Sequence, residues 1–121
     1  MRIITWNVNG IRAAAKKGFL DWLDASKADV VCLQEIKANI EQLDEALRAP
    51  KGWTVQMFSA KKPGYSGTAI YSRKKPDEWW TGLDKKLSPE SSDEGRVLAA
   101  RYGDLHVLSC YFPNSQEGGK R

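Results

Sequence analysis

Hydrophobic positions in the first half of the chain recur with two different periods. Residues 2–8 (RIITWNV) are rich in β-branched and aromatic types and stop at Asn9-Gly10, the pattern of a strand running into a turn. From about 12 to 26, Phe19, Leu20, Trp22 and Leu23 fall at helical spacing with Asp and Lys on the other side, which predicts a helix. Residues 29–34 (DVVCLQ) are almost continuously apolar, as in a strand buried on both faces, and Ile40, Leu43 and Leu47 mark a second amphipathic segment over about 40–48. Strand, helix, strand, helix opens an α/β layer structure, and the right-handed crossover rule makes the first two strands parallel.

After Pro50 and Gly52 the pattern changes to strands. Residues 53–58 (WTVQMF) and 68–73 (TAIYSR) read as strands joined by an ordered loop, SAKKPGYSG, with Pro63, Gly64 and Gly67 as its turn residues. A polar stretch from 84 to 95 leads to RVLAARY and LHVLSCYF, an antiparallel hairpin around Gly103-Asp104, and the tail PNSQEGGKR reads as turn-rich with no structure of its own. A mixed sheet of about six strands with two helices covers one of its faces. The segments 29–34 and 105–112 look apolar on both, so something else is expected over the second face.

Composition narrows the class. A length of 121 residues suits one domain with one modest core, and 41% hydrophobic with 28% charged residues excludes collagenous, low-complexity and disordered chains. No stretch approaches the roughly 20 apolar residues of a membrane span, and MRIITWNVNG lacks the signal-peptide pattern. Cys32 and Cys110 sit in apolar runs far from metal-ligand spacing, so both are expected as buried reduced thiols. A soluble, cytoplasmic protein is the expectation. The net charge of +4, from 19 Lys and Arg against 15 Asp and Glu, suits an anionic partner but is common. The bases cluster at Arg12, Lys16 and Lys17, at Lys61 and Lys62, and at Arg73, Lys74 and Lys75; the plain reading of each cluster is a solvated loop.

In an open α/β sheet, ligands gather beyond the carboxyl ends of the strands. Three such places stand out: Trp6-Asn7-Val8-Asn9-Gly10, Leu33-Gln34-Glu35, and Tyr111-Phe112-Pro113-Asn114-Ser115. Alternation points Asn7 opposite to Trp6, so the amide can face a cleft while the indole is buried; if the strands are neighbours, Asn7 and Glu35 meet at one sheet edge. A carboxylate with carboxamides and a phenol is a hard-oxygen set suited to Mg²⁺ or Mn²⁺ and to an anionic substrate. Each piece also has an ordinary structural alternative: a loop carboxylate, a turn, a strand terminus. His106, mid-strand between Leu105 and Val107, reads as structural, and the chain has no P-loop, no GxGxxG and no Ser-His-Asp set. The residues alone stop at a metal-dependent site in an α/β domain.

The segments WNVNGIRAA (6–14), KGFLDWL (17–23), ADVVCLQEIKA (28–38), GYSGTAIYS (64–72), EGRV (94–97) and YFPNS (111–115) resemble, in this order, the exonuclease III family of DNA repair enzymes within the endonuclease/exonuclease/phosphatase superfamily. GYSG and YFPNS favour the DNA repair branch over relatives acting on other phosphate esters. The resemblance implies that Glu35 is the metal-binding glutamate and that Asn7 lies beside the metal and the scissile phosphate. Tyr111 is then placed at the phosphate being cleaved, with Asn114 as its polar neighbour. Asn9, Arg12, Lys37, Tyr65 and Gly67 fall in segments the family uses near the DNA backbone. Ile36 departs from the small polar residue that many relatives carry.

The resemblance further implies Mg²⁺ (or Mn²⁺) as cofactor and double-stranded DNA with abasic sites or 3′ ends as partner. The implied fold is a four-layer α/β sandwich, two facing sheets between outer helices. Family members are about twice this long; their second half supplies an Asp-x-Asn pair for the attacking water and a late Asp-His pair for the phosphate, and neither occurs here. Residues 1–121 are therefore expected to be the N-terminal half of such a domain, either a truncated gene product or an expressed piece, with the absent half packing on the exposed sheet face. A catalytically dead DNA-binding or assembly fragment is one rival expectation, and a superfamily relative acting on another phosphate ester, against which GYSG and YFPNS argue, is the other.

Overall fold

The computed structural model describes residues 1–60, 66–82 and 96–112. The expected loop around Lys61 to Tyr65, the 84–95 stretch and the tail from Pro113 lie outside the described residues. Strand β1 (Ile3–Asn7) pairs in parallel with β2 (Val30–Gln34), Ile3 opposite Val30 and Asn7 opposite Gln34, as the crossover rule requires. Between them the single expected helix is broken into α1 (Ile11–Lys16) and α2 (Phe19–Ala25). Gly18, left-handed at φ 99°, turns the chain there so that both short helices seat apolar residues, Ile11 and Ala14 from one and Phe19 and Leu23 from the other. The second expected helix is a 3₁₀ turn (Ile40–Gln42) followed by α3 (Glu45–Arg48). Extended backbone at Leu43 and Asp44 separates them, and Leu43 and Leu47 are both buried.

Strands β3 (Thr54–Phe58) and β4 (Thr68–Ser72) complete a first sheet in the order β1-β2-β4-β3, with β4 antiparallel to both neighbours. Three further strands, β5 (Glu78–Thr81), β6 (Val97–Tyr102) and β7 (Leu105–Cys110), form a separate antiparallel sheet in that order. The β6–β7 hairpin was legible in the sequence, whereas β5, a four-residue run with two adjacent Trp, was not.

Two cores result. Helices cover one face of the first sheet: Val31, Leu33, Ala69 and Tyr71 pack with Phe19, Leu23, Leu43 and Leu47. The Tyr71 hydroxyl donates to the Leu47 carbonyl at 2.6 Å, and its ring meets Phe19 edge-on at 5.5 Å. On the other face Val30, Cys32 and Ile70 pack against Leu98, Ala100, Tyr102 and Val107 of the second sheet. The expectation of one six-stranded sheet with a bare second face is thus corrected: the chain's own hairpin folds over that face. Alternation along β6 and β7 predicts which side of each strand is apolar but not which sheet the strand joins.

Strand β2 is buried along its whole length, as expected, but β7 is not, and Leu105 and Leu108 remain exposed. Strand β7 lies against β2 and β4. On β1, Ile3, Thr5 and Asn7 stay exposed on that face. Trp6 on the opposite face packs against Phe19 and Trp22, yet it is 38% exposed rather than buried.

Cys32 is buried and Cys110 half-buried, both unpaired. Burial pushes the Cys32 thiol up to about 12 and raises that of Cys110, so neither is a thiolate at neutral pH. No described helix is long and apolar enough to cross a membrane. Arg73 is not merely a solvated base: its guanidinium sits 4.2 Å over the Trp53 ring, and Nε donates to the Ala28 carbonyl at 3.0 Å.

Candidate active site

The site forms where β1, β2 and β7 end. Beyond β1, the Asn9 N–H donates to Asn7 Oδ1 at 3.0 Å, closing an Asx turn that holds Asn9 left-handed at φ 49°, a conformation asparagine tolerates. The chain stays zipped to the continuation of β2 through Val8 N to Gln34 O (3.1 Å), Gly10 N to Glu35 O (2.8 Å) and Ile11 N to Ile36 O (3.0 Å).

Beyond β2, Glu35 and Lys37 are both left-handed, at φ 57° and 54°, while Ile36 between them is fully buried. Such backbone costs about 1–3 kcal/mol per non-glycine residue and persists only where its surroundings hold it. Here the Ile36 and Lys37 N–H groups donate to Gly67 O (3.2 Å) and Ser66 O (2.9 Å), and the Ile36 side chain acts as a plug. The alternation sends Glu35 and Lys37 together into the cleft. Gly67 makes the plug fit: it sits at φ 95°, and a Cβ there would lie 2.6 Å from Ile36 Cγ1. Gly67→Ala is therefore expected to destabilise the protein by about 1–3 kcal/mol in urea unfolding. An unchanged midpoint would contradict this packing.

Tyr111 arrives from the second sheet. Its N–H donates to Arg96 O at 2.8 Å, and two residues earlier Ser109 is fixed between the sheets. Ser109 Oγ donates to the Leu33 carbonyl at 2.9 Å and accepts from Gln34 Nε2 at 3.1 Å; that amide also reaches Thr5 Oγ1 at 2.9 Å. The polar bridge fixes the height of β7 over β2, and with it the place where Tyr111 emerges. Sequence reading missed Gln34 and Ser109. Gln34 carried a signal, since a carboxamide on the inner side of a fully buried strand must find partners.

The side chains then converge. Asn7 Nδ2 donates to Glu35 Oε1 at 3.3 Å, the Tyr111 hydroxyl also hydrogen-bonds Glu35, and Lys37 Nζ lies 3.1 Å from Glu35 Oε2. The same ammonium donates to Asn9 Oδ1 at 2.6 Å, and Arg12 Nη2 reaches the Lys37 carbonyl at 3.4 Å. Partial burial would push the Glu35 carboxyl up. Hydrogen bonds from Lys37, Asn7 and Tyr111, with the Lys37 charge, outweigh it and hold the group below the usual carboxylate range.

Asn7, Asn9, Glu35, Lys37 and Tyr111 thus form one cluster, with Arg12 at its edge. Gly67 lies behind it, against Ile36. Tyr65 and Asn114 fall outside the described residues. His106, on the outer face of the second sheet, makes an edge contact with Trp80 at 5.9 Å. The cleft offers one carboxylate and two carboxamide oxygens, all hard donors, and a cationic side chain already sits among them. That set fits a small divalent ion that keeps most of its waters. Among the described residues no group of three or more His, Cys, Asp and Glu comes together.

The chain is 38% identical over 122 residues to an exodeoxyribonuclease of Bacillus subtilis, an alignment covering 100% of this chain and 46% of that protein. It matches the structure of an AP endonuclease from Archaeoglobus fulgidus with a TM-score of 0.74 and 32% identity, covering 91% of this chain and 40% of that one. A 3′ phosphatase from Neisseria, bound to a product DNA hairpin, matches with a TM-score of 0.73 and 28% identity over 89% of this chain and 40% of that one. The chain therefore spans less than half the length of these relatives. The pattern of the Endonuclease/Exonuclease/phosphatase family runs through residues 4–108, which include one of the three strands that build the cleft in full and most of the other two, and the chain belongs to that family.

Proposed function

We propose that this chain is the N-terminal half of an exodeoxyribonuclease III-like DNA repair enzyme that hydrolyses phosphodiesters at abasic sites and trims 3′ ends with Mg²⁺ or Mn²⁺. The observation that carries the reading is the delivery of Asn7, Glu35 and Tyr111 to one point by strands of two different sheets. The names of the Bacillus, Archaeoglobus and Neisseria relatives point the same way. Two unpaired cysteines suit the reducing cytoplasm.

Glu35 and Asn7 are the residues that would hold the metal, which when bound offsets charge on the phosphodiester. Tyr111 and Asn114 are assigned to the phosphate, with the phenol O–H donating to a non-bridging oxygen. Asn9, Arg12, Lys37, Tyr65 and the Gly67 turn border the DNA backbone of a duplex carrying an abasic site or a 3′ end. No membrane takes part in this reading. The remaining half of the domain packs along the open sides of β1 and β7, where Ile3, Thr5 and Leu108 are exposed.

A second reading, a DNA-binding or assembly fragment without turnover, is favoured by a sequence with one His and no Asp-x-Asn. A positioned general base commonly contributes about 10²- to 10⁴-fold. A labelled abasic duplex with Mg²⁺ separates the two readings. The chain alone is expected to be essentially inactive, and adding the complementary part of the Bacillus relative is expected to restore cleavage. Robust turnover by the chain alone would contradict the assignment of the base to the other half. Failure of every complementing half would favour the fragment reading.

A further inference from the structure

Backbone and side-chain partners both hold Lys37 in the cleft. Its N–H donates to Ser66 O at 2.9 Å, its carbonyl accepts from Arg12 Nη2 at 3.4 Å, and its φ of 54° aims the stem back over Glu35. The ammonium lands 3.1 Å from Glu35 Oε2 and 2.6 Å from Asn9 Oδ1. The first of these oxygens belongs to the carboxylate assigned to a divalent ion, and the second lies beside it. An ammonium and a divalent cation cannot share those oxygens, because two like charges a few ångströms apart in a partly desolvated cleft repel strongly.

We infer that the Lys37 ammonium fills the cation position of the metal-free cleft and that a divalent ion binds only by displacing it. This rests on the reading of Glu35 as the metal-binding carboxylate. Without metal the ammonium neutralises Glu35 and keeps the cleft from holding an unpaired carboxylate. With metal bound it would leave the oxygen set, a movement that its four-carbon stem allows.

Mn²⁺ titrations of the chain, followed by water-proton relaxation, test the exchange. Lys37→Met, which keeps the stem and removes the charge, is expected to tighten Mn²⁺ binding about tenfold. Lys37→Arg keeps the charge and is expected to give no tightening, while Glu35→Gln should abolish binding. In the native chain, Mg²⁺ should shift the Lys37 Cε and Hε NMR signals with the same midpoint as metal binding, a readout that needs no variant. Mn²⁺ binding to Lys37→Met that is equal to or weaker than native, or a Lys37 signal unmoved at saturating Mg²⁺, would overturn the exchange while leaving the Glu35 site standing. Native affinity in Glu35→Gln would instead overturn the metal-site reading, and the exchange with it.

Discussion

Glu35→Gln in the enzyme assembled with its complementary half is expected to lower cleavage of an abasic duplex about 10²- to 10³-fold, the scale of losing one main stabiliser of transition-state charge. Gln is nearly isosteric and still accepts hydrogen bonds, so the cleft keeps its shape. What disappears is the one negative charge in the cluster of Asn7, Asn9, Glu35, Lys37 and Tyr111, the group that draws both the Lys37 ammonium and a divalent ion. The pH dependence follows from the direction of the shift. In the metal-free cleft Glu35 is held below the usual carboxylate range, so it is ionised throughout neutral pH and takes up a proton only as pH falls through that depressed value. Metal binding that needs the carboxylate should therefore persist to a lower pH than at an ordinary glutamate. Cleavage by the Gln variant within a few-fold of the native rate would contradict the assignment.

Phe19→Ala is expected to cost about 3–5 kcal/mol, the usual range for truncating a buried aromatic. Phe19 is 1% exposed and sits among Trp6, Trp22 and Tyr71, at ring separations of 6.0, 6.0 and 5.5 Å. It joins α2 to the sheet on the side opposite the second sheet, so no neighbouring strand can move in to fill the hole. Domain stabilities run to about 5–15 kcal/mol, so most of the folded population is at risk. Urea unfolding monitored by tryptophan fluorescence measures the loss. A decrease under about 1 kcal/mol would mean that the aromatic cluster repacks, contrary to dense packing in this core.

The cleft could be read from the sequence to the extent that it depends on local pattern. Alternation placed Asn7 opposite Trp6, the crossover rule made β1 and β2 parallel, and parallel neighbours bring Asn7 to Glu35. The same reasoning did not reach Lys37. Two residues beyond Glu35, its bearing depends on two successive left-handed residues separated by a buried Ile36, and nothing in the one-dimensional pattern announces φ values that only tertiary hydrogen bonds sustain. The split of six expected strands into two facing sheets was hidden for a related reason. Val107 and Ser109 show which side of β7 faces inward, but only the Gln34–Ser109–Leu33 bridge shows that β7 stacks on β2 instead of pairing beside it. The break in the first helix was closer to the surface of the sequence: Gly18 lies in the middle of the segment and takes the left-handed turn there.

The most direct measurement of the central claim, that the ends of β1 and β2 form a hard-oxygen cation site, is Mn²⁺ electron paramagnetic resonance on the native chain beside Glu35→Gln. With one carboxylate and two carboxamides the native chain should bind Mn²⁺ weakly and with a single class of site, and the Gln variant should leave all the Mn²⁺ free at the same concentrations. Equal Mn²⁺ occupancy in the two proteins would contradict the claim.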